Sequence, residues 1–377
     1  MPVWAQLLIV FTAALVGALI FVPLAAATGM AVGGGLVDRP RPGEMQRRPI
    51  SRTGGYGIIA AFFVALVVSL PFILKAQDRF LSEYGVTYAL PKVLAENSRL
   101  IGLTLGAAFL VPFAAWDDWK RLPPLPQLIA QIGCAAIPIA FGVRMMNVSN
   151  PFPVGGDQIP LGIFVVPVTL LWIVGMINAL NWLDTSDGLA GGVSMISALV
   201  LVAASLVKRT GFKEPQYTIA FLPLILAGVC LGFLVFNFPP ARLFMGTGGS
   251  MFLGYALGVV SIIGGAKIAT AVLVLGFPIL DAALVIIRRV AAGRSPMQGG
   301  DDAHLVHQLR KAGLSVRQIA LLLYGLTALF GALSISLFKE QKFFAFAAVI
   351  CAIGALIVFL RRRGRLVPPH VEQHSKA

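Results

Sequence analysis

Charge is scarce in this sequence. Only 12% of its 377 residues are Asp, Glu, Lys or Arg, roughly half the share in a typical soluble domain. With 58% hydrophobic residues, it has too few polar side chains to cover a water-soluble core of this size. Cysteine is rarer still. Cys134, Cys230 and Cys351 are the only three, each inside an apolar run, which excludes a disulfide framework and a zinc site. The first apolar run, Val3 to Ala27, has no basic residues ahead of it. It reads as a retained span, not a secretory leader. Long polar stretches are absent, so no soluble accessory domain is expected. No internal repeat is visible.

What fills the chain is apolar runs of about 17–25 residues, the length of a membrane-crossing helix. The short alternating segments of a transmembrane β-barrel are missing. The expectation is an all-α, polytopic membrane protein. Eleven spans are expected, near 3–28, 54–74, 100–116, 125–143, 161–178, 188–207, 217–236, 250–266, 268–287, 317–338 and 343–360. The count falls to ten if the tight hairpin around Lys267 does not form. Residues 1–366 read as one integral membrane domain and 367–377 as a disordered cytoplasmic tail.

Net charge is +14. In a soluble protein this would suggest nucleic acid; here the question is which side carries it. Of the 30 Lys and Arg, 19 follow odd-numbered spans or lie in the tail, and 11 follow even-numbered spans. The positive-inside rule then puts the N-terminus outside and the C-terminus in the cytoplasm. No nucleic-acid partner is expected; the basic tail is expected to meet anionic lipid headgroups.

The uncommon polar residues sort by side as well. Asp117 and Asp118 end the third span. Asn178, Asn181, Asp184 and Asp187 end the fifth, at three-residue steps. "RLFMGTGGS" opens the eighth, Asp281 lies near the end of the ninth, and Asp301, Asp302, His304 and His307 follow it. Each alone has a bland reading: a solvated cap, a turn, a surface loop. Asp281 within an apolar span is costly to insert and calls for a partner. Together on the cytoplasmic face, they suit a divalent cation and a phosphorylated substrate. Mg²⁺ takes one or two carboxylates plus phosphate oxygens, Arg forks hold phosphates, and a helix N-terminus accepts anions. A membrane enzyme needs this at headgroup depth when one substrate is a lipid.

In order along nearly the whole chain, these motifs resemble the polyprenyl-phosphate N-acetylhexosamine-1-phosphate transferases. "PISRTGG" (Pro49–Gly55) is similar to that family's P-x-P-x-x-G-G, with Ser51 for the second proline. Asp117-Asp118 is similar to its aspartate pair. Asn178, Asn181, Asp184, Asp187, Gly188 and Leu189 follow N-x-x-N-x-x-D-G-x-D-G-L, with Thr185 for the first glycine. Phe244, Gly246 and Ser250 follow F-x-G-D-x-G-S, with Thr247 in place of the aspartate. Asp301, His304, Leu305 and His307 follow D-x-x-H-[IL]-H-H, with Val306 for the middle histidine.

The resemblance implies transfer of a sugar-1-phosphate from a UDP-sugar to undecaprenyl phosphate, releasing UMP and starting a cell-envelope polysaccharide. It implies Mg²⁺, with Mn²⁺ as a substitute, an active site facing the cytoplasm from the plasma membrane, and a homodimer. The histidine loop looks more like the N-acetylglucosamine branch than the peptidoglycan branch. Asp117 and Asp118 are the implied catalytic residues. Arg52, Asn178, Asn181, Asp187, Gly246, His304 and His307 are implied in substrate binding, and Asp118, Asp184 and Asp187 in metal binding. Thr247 replaces the expected ligand. Two alternatives stay open: a relative without catalysis that binds lipid or partners as a scaffold, and a transporter. A transporter would place its site near mid-depth in repeated halves.

Overall fold

The computed structural model describes residues 1–40, 48–84, 86–150, 158–207, 217–264, 268–291 and 304–337, with a few isolated positions beside them. Its long elements are all α-helices, because in lipid each segment must satisfy its own backbone N–H and C=O groups. They are α1 (Val3–Val32), α2 (Gly54–Tyr84), α3 (Val86–Lys120), α4 (Pro124–Ala140), α5 (Val165–Leu183), α6 (Leu189–Leu206), α7 (Tyr217–Asn237) and α8 (Gly246–Ile263). Then follow α9 (Ile268–Val274), α10 (Gly276–Ala291), α11 (Leu305–Lys311) and α12 (Val316–Ser336). Two antiparallel ribbons tie loops at opposite ends of the bundle: β1 (Val37–Asp38) with β2 (Ile50–Ser51), and β3 (Asn147–Ser149) with β4 (Gln158–Pro160).

Among the described residues, eight helices are long and apolar enough to cross a membrane, and α4 is a shorter apolar helix. The first ten expected spans each have a helical counterpart. The eleventh, 343–360, lies outside the described residues except for Phe344 and Ala347, and Lys267, Asp301, Asp302 and the 367–377 tail lie wholly outside them. One expectation needs correction: the single span 268–287 is two helices, α9 and α10, which meet at Leu275. Pro278 accounts for the break. Its ring has no N–H and would clash with the carbonyl of Val274 in a continuous helix.

Helix α8 is the axis of the bundle. Each of its residues is buried except Thr247. Neighbouring helices reach it with polar anchors as well as apolar contact. Trp172 Nε1 of α5 donates to the Gly258 carbonyl (3.1 Å), and the Tyr255 hydroxyl donates to the Leu103 carbonyl of α3 (2.9 Å). Outward faces stay apolar, with Ile20 and Leu24 on α1, Val67 and Leu74 on α2, and Leu171 on α5 all exposed. The alternating run of helices brings the ends of α3, α5 and α7 and the starts of α2, α6 and α8 to one face. α12 joins them there, where the Tyr324 hydroxyl donates to the Gly188 carbonyl (2.5 Å).

Candidate active site

Residues 50–55 stitch the first loop to the start of α8. Phe244 N–H donates to the Ser51 carbonyl (2.8 Å), Gly54 N–H to the Phe244 carbonyl (3.1 Å) and Gly55 N–H to the Met245 carbonyl (2.9 Å). Gly55 and Gly249 meet backbone to backbone, with no room for a Cβ on either. Gly246 has φ +75°, and a side chain there would collide with the Arg52 carbonyl. These constraints fix Arg52 beside the N-terminus of α8.

Asp118 receives that N-terminus. Its Oδ1 accepts from Thr247 N–H (2.7 Å). Its Oδ2 accepts from Gly248 N–H (3.0 Å) and from the Tyr56 hydroxyl (2.6 Å). The carboxylate meets the partial positive charge of the helix end and is 2% exposed. The sequence suggests a catalytic residue and metal ligand; the structure shows a carboxylate whose two oxygens already serve three donors. Asp117 is half-buried, and its Oδ1 accepts from Leu122 N–H (2.9 Å), closing the turn after α3.

The Asn/Asp motif does not lie along one helical face, contrary to the expectation from its spacing. Helix α5 stops at Leu183, and Asp184 is its cap at φ −75°, ψ 49°. A turn then runs to Gly188, whose N–H donates to Asn237 Oδ1 (2.9 Å). Asn178 stays on the helix and faces α4. Its Nδ2 donates to Gln131 Oε1 (2.6 Å) and to the Val174 carbonyl (2.9 Å). It is a helix–helix tie, apart from the cavity its neighbours line. Asn181 turns the other way, its Oδ1 accepting from the Ser250 hydroxyl (2.9 Å). Asp187 Oδ2 accepts from Ala241 N–H (3.0 Å).

Arg52, Asn181, Asp184, Asp187, Phe244 and Thr247 line one cavity of about 360 Å³, together with Asn237, Gly246 and Ser250. Thr247, the one residue of α8 not fully buried, opens into it. No hydrogen bond reaches the Asp184 carboxylate among the described residues. Burial pushes this carboxyl up to about 7; Asp118 and Asp187 add to the shift, and Arg52 opposes it.

A cation would relieve that crowding, so the donor set fits Mg²⁺. Asp184 and Asp187 are the carboxylates available, with the Thr247 hydroxyl beside them. The described residues contain no group of three or more His, Cys, Asp or Glu side chains arranged to hold a metal. A two-carboxylate site suits an ion that completes its shell with water and phosphate oxygens.

The histidines form a second cluster. His304 Nδ1 lies 2.8 Å from Asp281 Oδ2, and Leu305 N–H donates to Asp281 Oδ1 (2.8 Å). This is the partner that Asp281 needed. His304 stands edge-on to Trp182 and to His307, each with ring centroids 6.4 Å apart. The Arg289 guanidinium lies 5.8 Å from the centre of the Trp182 ring. Trp182 adjoins Asn181 in the chain, but neither it nor either histidine lines the cavity.

Several residues of the site escaped the sequence reading. Asn237 clamps both sides of the cavity floor, accepting from Gly188 N–H and donating to the Leu243 carbonyl (2.8 Å). Its signal was an amide at the end of a span, just before Pro239-Pro240. Tyr56 and Trp182 gave none, since an aromatic residue in an apolar helix is ordinary.

Comparison with known proteins adds an independent line. Residues 100–265 match the family model described as glycosyl transferase family 4. A probable undecaprenyl-phosphate N-acetylglucosaminyl 1-phosphate transferase of Bacillus subtilis is 30% identical over 325 residues, 85% of this chain and 81% of that protein. A decaprenyl-phosphate N-acetylglucosaminephosphotransferase of Mycolicibacterium smegmatis is 32% identical over 361 residues, 89% of this chain and 84% of the relative. A phospho-N-acetylmuramoyl-pentapeptide-transferase of Streptococcus thermophilus is 34% identical over 182 residues, 45% of this chain and 52% of that one.

Proposed function

The chain belongs to glycosyl transferase family 4, and on that premise we propose that it transfers N-acetylglucosamine-1-phosphate from UDP-N-acetylglucosamine to a polyprenyl phosphate. The observation that carries this reading is the cavity at the start of α8. It gathers Arg52, Asp184, Asp187, Asn181 and Phe244 from three separate parts of the chain. The choice of sugar follows the two relatives matched over four-fifths or more of their length, both named for N-acetylglucosamine. Their names specify undecaprenyl and decaprenyl acceptors respectively, and undecaprenyl phosphate is the acceptor proposed here.

The donor lies in the cavity with its diphosphate toward Arg52 and the N-terminal turn of α8. Phe244 offers a face for the base, and Asn181 offers amide contacts to the sugar phosphate. An acceptor phosphate oxygen attacks the β-phosphorus. A new P–O bond forms, the bond from the β-phosphorus to the bridging oxygen breaks, and UMP leaves with that electron pair. The second pKa of a phosphate monoester is about 6, so the attacking group is already largely dianionic at neutral pH. Positioning and charge neutralisation are then the main tasks. Asp184 and Asp187 would hold Mg²⁺, which neutralises charge on the diphosphate when bound. Asp118 and Tyr56 keep α8 aimed at the site. His304, held by Asp281, packs edge-on against Trp182, and His307 is assigned to a phosphate of the substrate.

The site faces the cytoplasm, where UDP-sugars are made, and the basic-residue asymmetry supports that orientation. A homodimer is carried over from the family resemblance alone. The test is UMP release from UDP-N-acetylglucosamine by purified protein in detergent. Release should require both polyprenyl phosphate and Mg²⁺. Protein that stays folded and binds polyprenyl phosphate yet releases no UMP with any UDP-sugar would favour the scaffold reading.

A further inference from the structure

A second cavity, of about 380 Å³, lies beside the first, and Arg52 lines both. Its wall also includes Asp38, Arg39, Asp118, Trp119 and Arg121. Three arginines thus face two carboxylates, and one of these, Asp118, already serves Tyr56 and the N-terminus of α8. The balance favours an anion, and planar guanidinium forks match phosphate oxygens.

Arg121 stands out for its backbone. At φ 50° it is the one non-glycine residue with positive φ among the described residues. It follows directly on α3, at a position where a helix commonly ends on glycine. A side chain there costs energy that glycine would not. The turn is nevertheless pinned. Arg121 N–H donates to the Asp117 carbonyl (2.8 Å), and Leu122 N–H donates to the Asp117 carboxylate (2.9 Å). Asp117 therefore acts as a positioning residue for Arg121. Strained residues of this kind cluster at ligand clamps.

The rest of the wall agrees. Gly35 packs on the end of α3 so tightly that a Cβ would strike the carbonyl oxygens of Asp118 and Trp119. This brings the loop carrying Arg39 against the turn carrying Arg121. Trp116 and Trp119, on the last turns of α3, are 54% and 55% exposed, as aromatic residues at a membrane interface are. The opening therefore sits at headgroup depth.

We infer that this second cavity holds the phosphate group of a membrane lipid against Arg39, Arg52 and Arg121. Two lipids offer that chemistry: the polyprenyl phosphate acceptor and anionic phospholipid. The acceptor arm rests on the proposed transferase function; the phosphate site itself does not. With the acceptor in place, Arg52 would stand between the attacking phosphate and the donor diphosphate.

The discriminating variant is Arg121→Gly, which suits the positive φ and removes the side chain with its guanidinium. Purified protein in phosphatidylcholine nanodiscs is titrated with polyprenyl phosphate and, separately, with phosphatidylglycerol. Binding is read by native mass spectrometry without donor. Arg121→Gly should weaken lipid-phosphate binding by about tenfold or more, as loss of one charge-assisted fork predicts. Its unfolding temperature should equal or exceed that of wild type, and its KM for the UDP-sugar should be unchanged. Arg39→Gln, on an exposed loop, should act in the same direction. A loss confined to polyprenyl phosphate identifies the acceptor site, and a loss confined to phosphatidylglycerol identifies a phospholipid site. Unchanged binding of both lipids in both folded variants overturns the inference. Wild-type protein that binds the lipid but releases no UMP counts against the transferase reading, not against this site.

Discussion

Neutralising Asp118 should harm the fold, whereas neutralising Asp184 should harm only the chemistry. The asymmetry follows from their partners. In Asp118→Asn, one carboxylate oxygen becomes an NH₂ group. It must then face Thr247 N–H, now 2.7 Å from Oδ1, or Gly248 N–H, now 3.0 Å from Oδ2. Tyr56 can rotate its hydroxyl, but a backbone N–H cannot change role. One buried donor is left opposed, at a cost of about 1–3 kcal/mol. Loss of the negative charge at the N-terminus of α8 adds up to about 2 kcal/mol in a buried setting. The sum is about 1–5 kcal/mol, at its upper end large against ordinary point mutations. Asp184→Asn removes a crowded carboxylate to which no described residue donates, so stability should hold or rise. The assay is thermal unfolding of both variants in one detergent, without nucleotide or metal, alongside UMP release. Both variants should lose activity, but only Asp118→Asn should unfold earlier, by several degrees. Asp118→Asn unfolding at or above the wild-type temperature would refute its role as the anchor of α8 and return it to the list of free metal ligands.

Three further outcomes are expected. Thr247→Asp adds a carboxylate beside Asp184 and should raise apparent Mg²⁺ affinity about tenfold, roughly 1.4 kcal/mol; an unchanged Mg²⁺ titration of turnover would place residue 247 away from the metal. With its carboxyl raised to about 7, Asp184 is protonated below that pH and ionised above it. Mg²⁺ must compete with the proton at low pH, so the Mg²⁺ concentration for half-maximal rate should rise by up to about tenfold per pH unit below 7; a flat profile from about pH 6 to 8 would exclude Asp184 as a ligand. For topology, Thr185→Cys, exposed on the site face, should resist an impermeant thiol reagent in intact cells lacking the native cysteines. Met146→Cys, 60% exposed at the opposite end, should react; the reverse pattern would invert the protein.

The membrane architecture was legible because it rests on a coarse signal. Apolar runs long enough to span lipid survive any uncertainty about their ends, and the first ten expected spans each found a helix. The break at Leu275 was hidden because α9 and the start of α10 are as apolar as a continuous span, and only Pro278 marks the join. In the site, spacing was a partial guide. Asn178, Asn181, Asp184 and Asp187 step by three, as on a helix, yet Thr185-Ser186-Asp187-Gly188 is turn chemistry, and local propensity prevailed after Leu183. The motif could locate the site but not assign directions, so Asn178 against Gln131 looked the same as Asn181 against Ser250. Arg121 was invisible for a different reason: strain is a property of φ, and no residue type announces it.

The anchoring of α8 also explains how a threonine can stand at position 247. A helix N-terminus in a buried site leaves N–H groups without partners, and Asp118 answers two of them. That contact is made to the backbone of residues 247 and 248, so it survives whatever side chain residue 247 carries. The cost falls on the metal. With Asp118 committed and Thr247 neutral, Asp184 and Asp187 are the only carboxylates among the described residues that line the cavity, and Asp187 already accepts one backbone hydrogen bond. An aspartate at 247 would add a third negative charge to a pocket whose burial already lifts Asp184 to about 7. Threonine keeps the empty cavity less repulsive to itself and to an incoming diphosphate. The consequence is a cation that depends on substrate oxygens to complete its shell, so that metal and nucleotide should bind as a pair.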